Sequence, residues 1–251
     1  MKKTVKLLLA AAVAAVSMYA GDLTIAFNSK GKGPMGTKTD GIETHYYSSK
    51  FQRINNAGSK IDTLIDYQTL TTYTINHGKK LIQKMTFDDA MAAMEAMQTQ
   101  IPEGLGAMMG SFFGDPNNFK VEELGKEVIV ERSCKKHKIT VGKMVFESSN
   151  DPSLVPPIPA ASFAKMMKAK GALTAAAGPM GKSMARLYEE MSKIKGLALK
   201  TSMSGFMGIN VSTEATQVTE GPVAPAVFEL PAGYKTEDLG KQLREQAGKG
   251  R

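Results

Sequence analysis

Between Asp22 and Thr86, apolar and β-branched side chains recur at every second position and are broken at short intervals by turn-forming residues. This pattern predicts a run of short antiparallel strands. Leu23-Thr24-Ile25-Ala26-Phe27 alternates with a period of two. Ile42, Thr44 and Tyr46 oppose Glu43, His45 and Tyr47, and Phe51 to Asn55 follows after Ser48-Ser49. Ile61, Thr63 and Ile65 fall on one face of the next strand, with Asp62, Leu64 and Asp66 on the other. Tyr73-Thr74-Ile75 then runs through Asn76-His77-Gly78-Lys79 into Leu81-Ile82, the clearest hairpin signal in the chain. Strands at this spacing imply a meander.

The period changes at Thr86. Thr86 and Asp89 have capping-box spacing, and Ala90, Met91, Ala93, Met94 and Met97 recur at helical intervals up to Ile101-Pro102. A Gly- and Met-rich stretch from Gly104 to Gly114 ends in a loop at Asp115-Pro116-Asn117-Asn118. Strand character returns at Glu127 to Arg132, Lys138 to Val141 and Met144 to Glu147. Pro152, Pro156, Pro157 and Pro159 make a stiff connector, followed by helical character from Ser162 to Lys170. Pro179 suits the first turn of a longer helix, on which Met180, Met184, Leu187, Met191 and Ile194 form one apolar stripe, with Gly196 as its stop. Leu197 to Ser202, Ile209 to Thr216 and Val227 to Leu230 read as further strands. After Thr236 the tail is charged and reads as a short helix or as disordered, and no internal repeat is evident.

The N-terminus sets the compartment. Lys2, Lys3 and Lys6 precede an unbroken apolar run from Leu7 to Val16, and Ser17-Met18-Tyr19-Ala20 offers a small residue before Gly21. This order predicts a secretory signal peptide over 1–20, a mature chain beginning near Gly21, and a periplasmic location. The run is shorter than the roughly 20 residues a membrane-spanning helix requires. No Cys stands at the cleavage point to carry a lipid anchor. Removing the three signal lysines lowers the net charge from +8 to +5, with a local cluster at Lys135-Lys136-His137-Lys138. Two readings follow, contact with anionic headgroups or solvated strand edges, and the compartment argues against nucleic acid. The single Cys134 has no internal disulfide partner.

Motifs for catalysis are weak. Gly31-Lys32-Gly33-Pro34-Met35-Gly36 fits a dinucleotide fingerprint, but Thr37-Lys38-Thr39-Asp40-Gly41 reads as turn where that site needs a helix N-terminus. Gly181-Lys182-Ser183 ends like a phosphate loop, yet Ala176 stands in the first glycine's place. His45, His77 and His137 are the available bases; His77 reads as a solvated turn residue, and Cys134 and His137, three apart, point to opposite faces of a strand. An enzyme is not expected, nor any cofactor. The methionines allow three readings: core packing, adaptable contact with acyl chains, or Cu(I) held by the thioethers of Met91, Met94 and Met97.

Four segments carry a resemblance: Ile65-Asp66 through Tyr73-Thr74-Ile75-Asn76, Ser133 to Ile139, Lys195 to Lys200, and Phe228-Glu229-Leu230-Pro231-Ala232-Gly233-Tyr234-Lys235. Together they resemble a family of exported bacterial proteins with a domain of unknown function, over about Gly21 to Lys235. Members often carry Tyr where this chain has His137. That family is similar in organisation to the periplasmic outer-membrane lipoprotein carriers. The resemblance implies an α+β fold, a curved antiparallel sheet forming a half-barrel covered by helices on its concave side. It implies one domain over 21–235, with helical insertions near 87–114 and 162–195, and a separate tail over 236–251.

The resulting expectation is a monomeric periplasmic carrier or chaperone for a lipid or an acylated protein. Met91, Met94, Met97, Met180, Met184, Leu187 and Met191 are the lid candidates, and Ile65, Tyr73 and Ile75 the sheet candidates. Lys135 and Lys136 are the headgroup candidates. The alternatives are an envelope assembly protein that docks a partner peptide, and a Met-based copper protein.

Overall fold

The computed structural model describes residues 21–32, 40–90, 92, 118–166, 178–205 and 208–249. The first half of the chain gives β1 (Leu23–Lys32), β2 (Gly41–Tyr47), β3 (Phe51–Asn56), β4 (Ile61–Asp66), β5 (Thr71–Asn76) and β6 (Leu81–Thr86). The second gives β7 (Phe119–Ile129), β8 (Arg132–Val141), β9 (Met144–Asp151), β10 (Leu197–Ser204), β11 (Asn210–Glu220) and β12 (Lys235–Asp238). Helices α1 (Gly178–Lys193) and α2 (Leu239–Lys249) join shorter helical pieces at 87–90 and 160–166. The strands form one unclosed, curved sheet in the order β12-β6-β5-β4-β3-β2-β1-β11-β10-β9-β8-β7, an α+β half-barrel. All neighbours run antiparallel except β12, which joins β6 in parallel.

The backbone holds a ten-residue module that the side-chain pattern hides. β3, β4, β5 and β6 are each six residues long and each is joined to the next by a four-residue turn. An Asx residue closes every strand that leads into a turn. Asn56 Oδ1 accepts from the Gly58 and Ser59 amides at 3.1 and 3.0 Å, Asp66 Oδ1 from Gln68 and Thr69 at 2.8 and 3.2 Å, and Asn76 Oδ1 from Lys79 at 2.9 Å. Each turn ends in a left-handed residue, Lys60, Leu70 or Lys80, with φ between 48° and 55°. The expectation of no internal repeat is thereby corrected: the ten-residue period shows in the sequence only at the capping positions Asn56, Asp66 and Asn76, while the other side chains vary.

Two further expectations are corrected. Glu127 to Arg132 is not one strand: β7 begins at Phe119, and Val130-Glu131 is the turn into β8. The sequence around Val227 forms a 3-10 turn, Pro225–Phe228, because two prolines within four residues (Pro222 and Pro225) leave few donors for a ladder. The charged tail, by contrast, forms a helix as one of its two readings had it: α2 follows the short strand β12. The Thr86–Asp89 box forms as expected: the Asp89 amide donates to Thr86 Oγ1 at 3.1 Å, and the Thr86 hydroxyl donates to Asp89 Oδ2 at 2.7 Å.

Register sorts side chains to two faces. One face, here the front, carries Leu23, Ile25, Phe27 and Ser29 of β1, His45 and Tyr47 of β2, and Gln52 and Ile54 of β3. Through β11, β10, β9 and β8 it continues as Val211, Met203, Phe146 and Ile139. The back face carries Phe51, Arg53, Asp62, Leu64, Tyr73, Ile75 and Ile82. The core changes sides along the sheet. On the front, Leu23, Ile25, Phe27 and Tyr47 are buried; from β4 to β6 the buried residues are Leu64, Ile75 and Ile82 on the back. Irregularities between Ala26 and Phe27, Glu123 and Gly125, and Ala198 and Lys200 interrupt the ladder in its second half, where bulges increase local twist and bend the sheet.

Candidate functional site

Helical structure meets the sheet on the front face. Leu187 of α1 is buried against Ile139, Val141 and Met144, with Met191, Ile194, Phe119 and Phe146 packed around them. The Arg186 guanidinium lies 4.0 Å from the centre of the Phe119 ring, adding a cation–π contact at the same seam. The 160–166 piece reaches the sheet through Tyr67: Ser162 Oγ donates to its carbonyl at 2.8 Å, and the Tyr67 hydroxyl donates to Gln52 Oε1 at 3.4 Å. Burial pushes the Tyr67 phenol above its ordinary range, with Tyr47 nearby adding to the shift.

A polar row crosses the same face. On β2 the side chains of Glu43, His45 and Tyr47 alternate toward the front, so residues two apart become neighbours. The His45 ring nitrogens stand 3.3 Å from Glu43 Oε2 and 3.3 Å from the Tyr47 hydroxyl, and Phe27 packs on the ring at 4.8 Å. The hydrogen bond from His45 holds the Glu43 carboxyl below its usual range, against the opposing effect of burial. The alternation along β2 already placed Glu43, His45 and Tyr47 on one side; their mutual hydrogen bonds were not legible in it.

The back face is closed by the chain's own C-terminal strap, residues 221–234. Phe228 stacks on Phe51 with ring centres 5.8 Å apart, and Phe228 and Tyr234 pack on Leu64, Ile75 and Ile82. A buried polar cluster pins the strap. Arg53, 8% exposed, donates to Asp62 Oδ2 at 2.7 Å and to the strap carbonyls of Val227 and Glu229 at 3.2 and 3.0 Å. His77 Nε2 lies 2.8 Å from the same carboxylate oxygen, and its Nδ1 lies 3.0 Å from the Tyr234 hydroxyl. His77 does stand in the β5–β6 turn, as its surroundings in sequence suggested, but its 35%-exposed side chain bridges this network instead of standing free in solvent. Asp62 and Arg53 gave no such signal, because their partners lie on other strands and in a strap more than 150 residues away.

The structure divides the expected groove residues. Ile65 is on the front face, while Tyr73 and Ile75 are on the back; Ile75 is fully buried beneath the strap. These three therefore do not share a surface. Leu187 and Met191 sit directly on β8 and β9. Lys135 pairs with Glu123 at 3.6 Å and Lys136 with Glu147 at 2.9 Å. Adjacent on one strand, the two lysines point to opposite faces. Lys136 shares the back with Lys200, which pairs with Glu214 at 3.0 Å. Met91, Met94 and Met97, the phosphate-loop-like pattern after Lys32 and the 1–20 segment lie outside the described residues, as do the side chains of Met180 and Met184. Cys134 is fully buried, and burial, with the Asp151 and Glu127 carboxylates nearby, pushes its thiol up to about 11. Among the described residues no cluster of His, Cys, Asp or Glu is arranged to hold a metal, and no helix is long and apolar enough to cross a membrane.

No family profile and no curated protein matches the chain. Solved structures do. PNGF-II matches with 13% identity and a TM-score of 0.41, over 91% of this chain and 33% of that one, so the chain spans about a third of PNGF-II. The Pseudomonas aeruginosa MucA/MucB complex matches with 10% identity and a TM-score of 0.40, over 86% of this chain and 58% of that one. A LolA superfamily protein, NE2245 from Nitrosomonas europaea, matches with 8% identity and a TM-score of 0.32, over 84% of this chain and 91% of that one.

Proposed function

We propose that the chain is an exported periplasmic binding protein, with 1–20 as its cleaved signal, that holds the acyl part of a lipid or acylated protein between the front face and the helices. The observation that supports this most is the division of the sheet. In its second half the front face carries Ile139, Phe146, Met203 and Val211 and receives α1, while the back carries Lys136, Glu147, Lys200 and Glu214. The ligand surface would combine Ile65, Phe146, Met203 and Val211 with the methionine faces at 91–97 and 180–191. Tyr73 and Ile75 drop out of that surface because the strap already occupies their face. Aliphatic burial would supply affinity at about 0.8 kcal/mol per methylene.

Native mass spectrometry of mature protein purified from the periplasm without detergent tests this reading. A bound species of several hundred daltons, released by solvent and lost in Met203→Glu while the far-ultraviolet circular dichroism stays native, is the expected result. An unaltered apo mass after incubation with envelope lipids overturns it.

A second reading rests on β7. This strand is 11 residues long, pairs with β8 and with no other strand among the described residues, and exposes Val121, Leu124 and Val128. Such an edge can accept an extended peptide by strand addition. An envelope protein retained through delipidation and competed by Val128→Lys would favour that reading over lipid carriage.

A further inference from the structure

The back face holds a second concave surface that neither reading uses. A cleft of about 460 Å³ opens at the turn end of β2 to β5, lined by Ile42, Thr44, Asn55, Asn56, Ala57, Lys60, Asp62 and His77. Its size falls in the range of small-molecule sites. Four of its features bear on what it would take.

The first is charge. Lys60 lines the cleft, and Lys79 and Lys80 stand on the adjacent turn, tied to it by the His77 amide donating to the Lys60 carbonyl at 3.0 Å. All three lysines are exposed, and none has a carboxylate within ion-pairing distance among the described residues. The second is the wall. Among the described residues Asp62 is the only carboxylate lining the cleft, and its Oδ2 is already engaged by Arg53 and His77, so its charge is matched from within the protein. The third is free donor capacity. Asn55 Oδ1 accepts from Arg53 Nε at 2.8 Å, which orients the amide and leaves its NH2 group as the unspent end. The fourth is an apolar flank: Ile42 is 61% exposed at the rim, unusual for so large an aliphatic side chain.

We propose that this cleft is a binding site for a phosphate group carrying a short apolar substituent. Lys60, with Lys79 and Lys80 on the rim, supplies the field; Asn55 and Thr44 supply directed hydrogen bonds; Ile42 covers the substituent. Phosphate suits a rim of lysines as a compact, multiply charged acceptor. The same chemistry belongs to a phospholipid headgroup and to a free phosphate ester, and the test separates them. The site lies on the opposite face from α1, so it stands independently of the acyl-binding reading.

The experiment is titration of isotope-labelled mature protein followed by two-dimensional NMR, with inorganic phosphate, hexyl phosphate, hexanol and dihexanoyl phosphatidylglycerol below its micelle concentration. Hexyl phosphate is expected to shift the amides of Asn55, Lys60 and His77, and to bind about tenfold more tightly than inorganic phosphate, the equivalent of burying roughly two methylenes. Lys60→Asn keeps a residue that tolerates the left-handed turn position and should weaken both phosphates about tenfold. Ile42→Thr should remove only the advantage of the hexyl chain. Saturation by the phosphatidylglycerol as well identifies a headgroup site; saturation by hexyl phosphate alone identifies a phosphate-ester site. Equal binding of hexanol and hexyl phosphate, shifts confined to other residues, or indifference to Lys60→Asn would overturn the proposal.

Discussion

At the scale of single residues, two buried groups make the chemistry of the β7–β9 end testable. Cys134 is fully enclosed and its thiol is raised to about 11, so at pH 8 almost none of it is thiolate. A thiol reagent such as Ellman's should leave the native protein untouched for hours and titrate one sulfur once denaturant is added; rapid reaction in the native state would contradict this burial. Asp151 behaves differently. Burial works against its ionisation, but the Ser153 hydroxyl and amide at 2.6 and 2.9 Å and the Arg132 guanidinium at 2.9 Å hold it below the usual carboxylate range. A carboxyl depressed in the folded state contributes stability that is present above its unfolded value, about 3.9, and is lost as pH falls through the lowered one. Asp151→Asn should therefore lower Tm at pH 7 and flatten the decline in Tm between about pH 5 and pH 2. An unchanged acid limb in a calorimetric series would show that the carboxylate is not a source of that decline.

Elements are held by contacts that their own sequences do not announce. α1 ends at Lys193, and three residues on stands Gly196, whose φ is +85° and where an added Cβ would lie 1.9 Å from the Asp151 carbonyl oxygen. Gly196→Ala should cost several kcal/mol, because both the conformation and the close approach exclude a side chain; a shift in urea midpoint below about 1 kcal/mol equivalent would refute that. Much of this level was legible. The hairpin ladder from β2 to β6 was visible because its strands alternate and its turns carry Asn, Asp and Gly. The Thr86–Asp89 box was visible because a cap is a local contact. Which face of the ladder is buried was not. β4 carries Ile61 and Ile65 on one side and Leu64 with two aspartates on the other, and apolar count favours the wrong side. The decision belongs to the strap, which covers Leu64 and holds Arg53 and His77, the two partners of Asp62, through its Val227 and Glu229 carbonyls and the Tyr234 hydroxyl. The partners of His77 were hidden for the same reason: Asp62 and Tyr234 come from another strand and from a segment more than 150 residues on.

For the molecule as a whole, the switch of the buried face along one sheet means that three cores share a single hydrogen-bonded ladder. One, around Leu23, Ile25, Phe27 and Tyr47, lies at the middle of the sheet; a second is closed by α1 over β8 and β9; the third, over β4 to β6, is closed by the strap at 221–234. Their fates can be separated. Arg53 reaches Asp62 and two strap carbonyls at once, so Arg53→Ala leaves the two carbonyls without their side-chain donor and the buried carboxylate with His77 as its remaining partner. Loss of one partner from a buried pair costs about 3–5 kcal/mol, and the milder Phe228→Ala removes packing alone at roughly 2–3 kcal/mol. Hydrogen exchange should then show protection falling in β3 to β6 while the amides of β8, β9 and α1 exchange as in the parent protein, because no described contact carries the strap to that end. If both halves lost protection together in Phe228→Ala, the ladder would be transmitting the damage and the sheet would be a single cooperative unit. Separate loss would instead make the strap a local clamp, free to loosen the back face without disturbing the helices on the front.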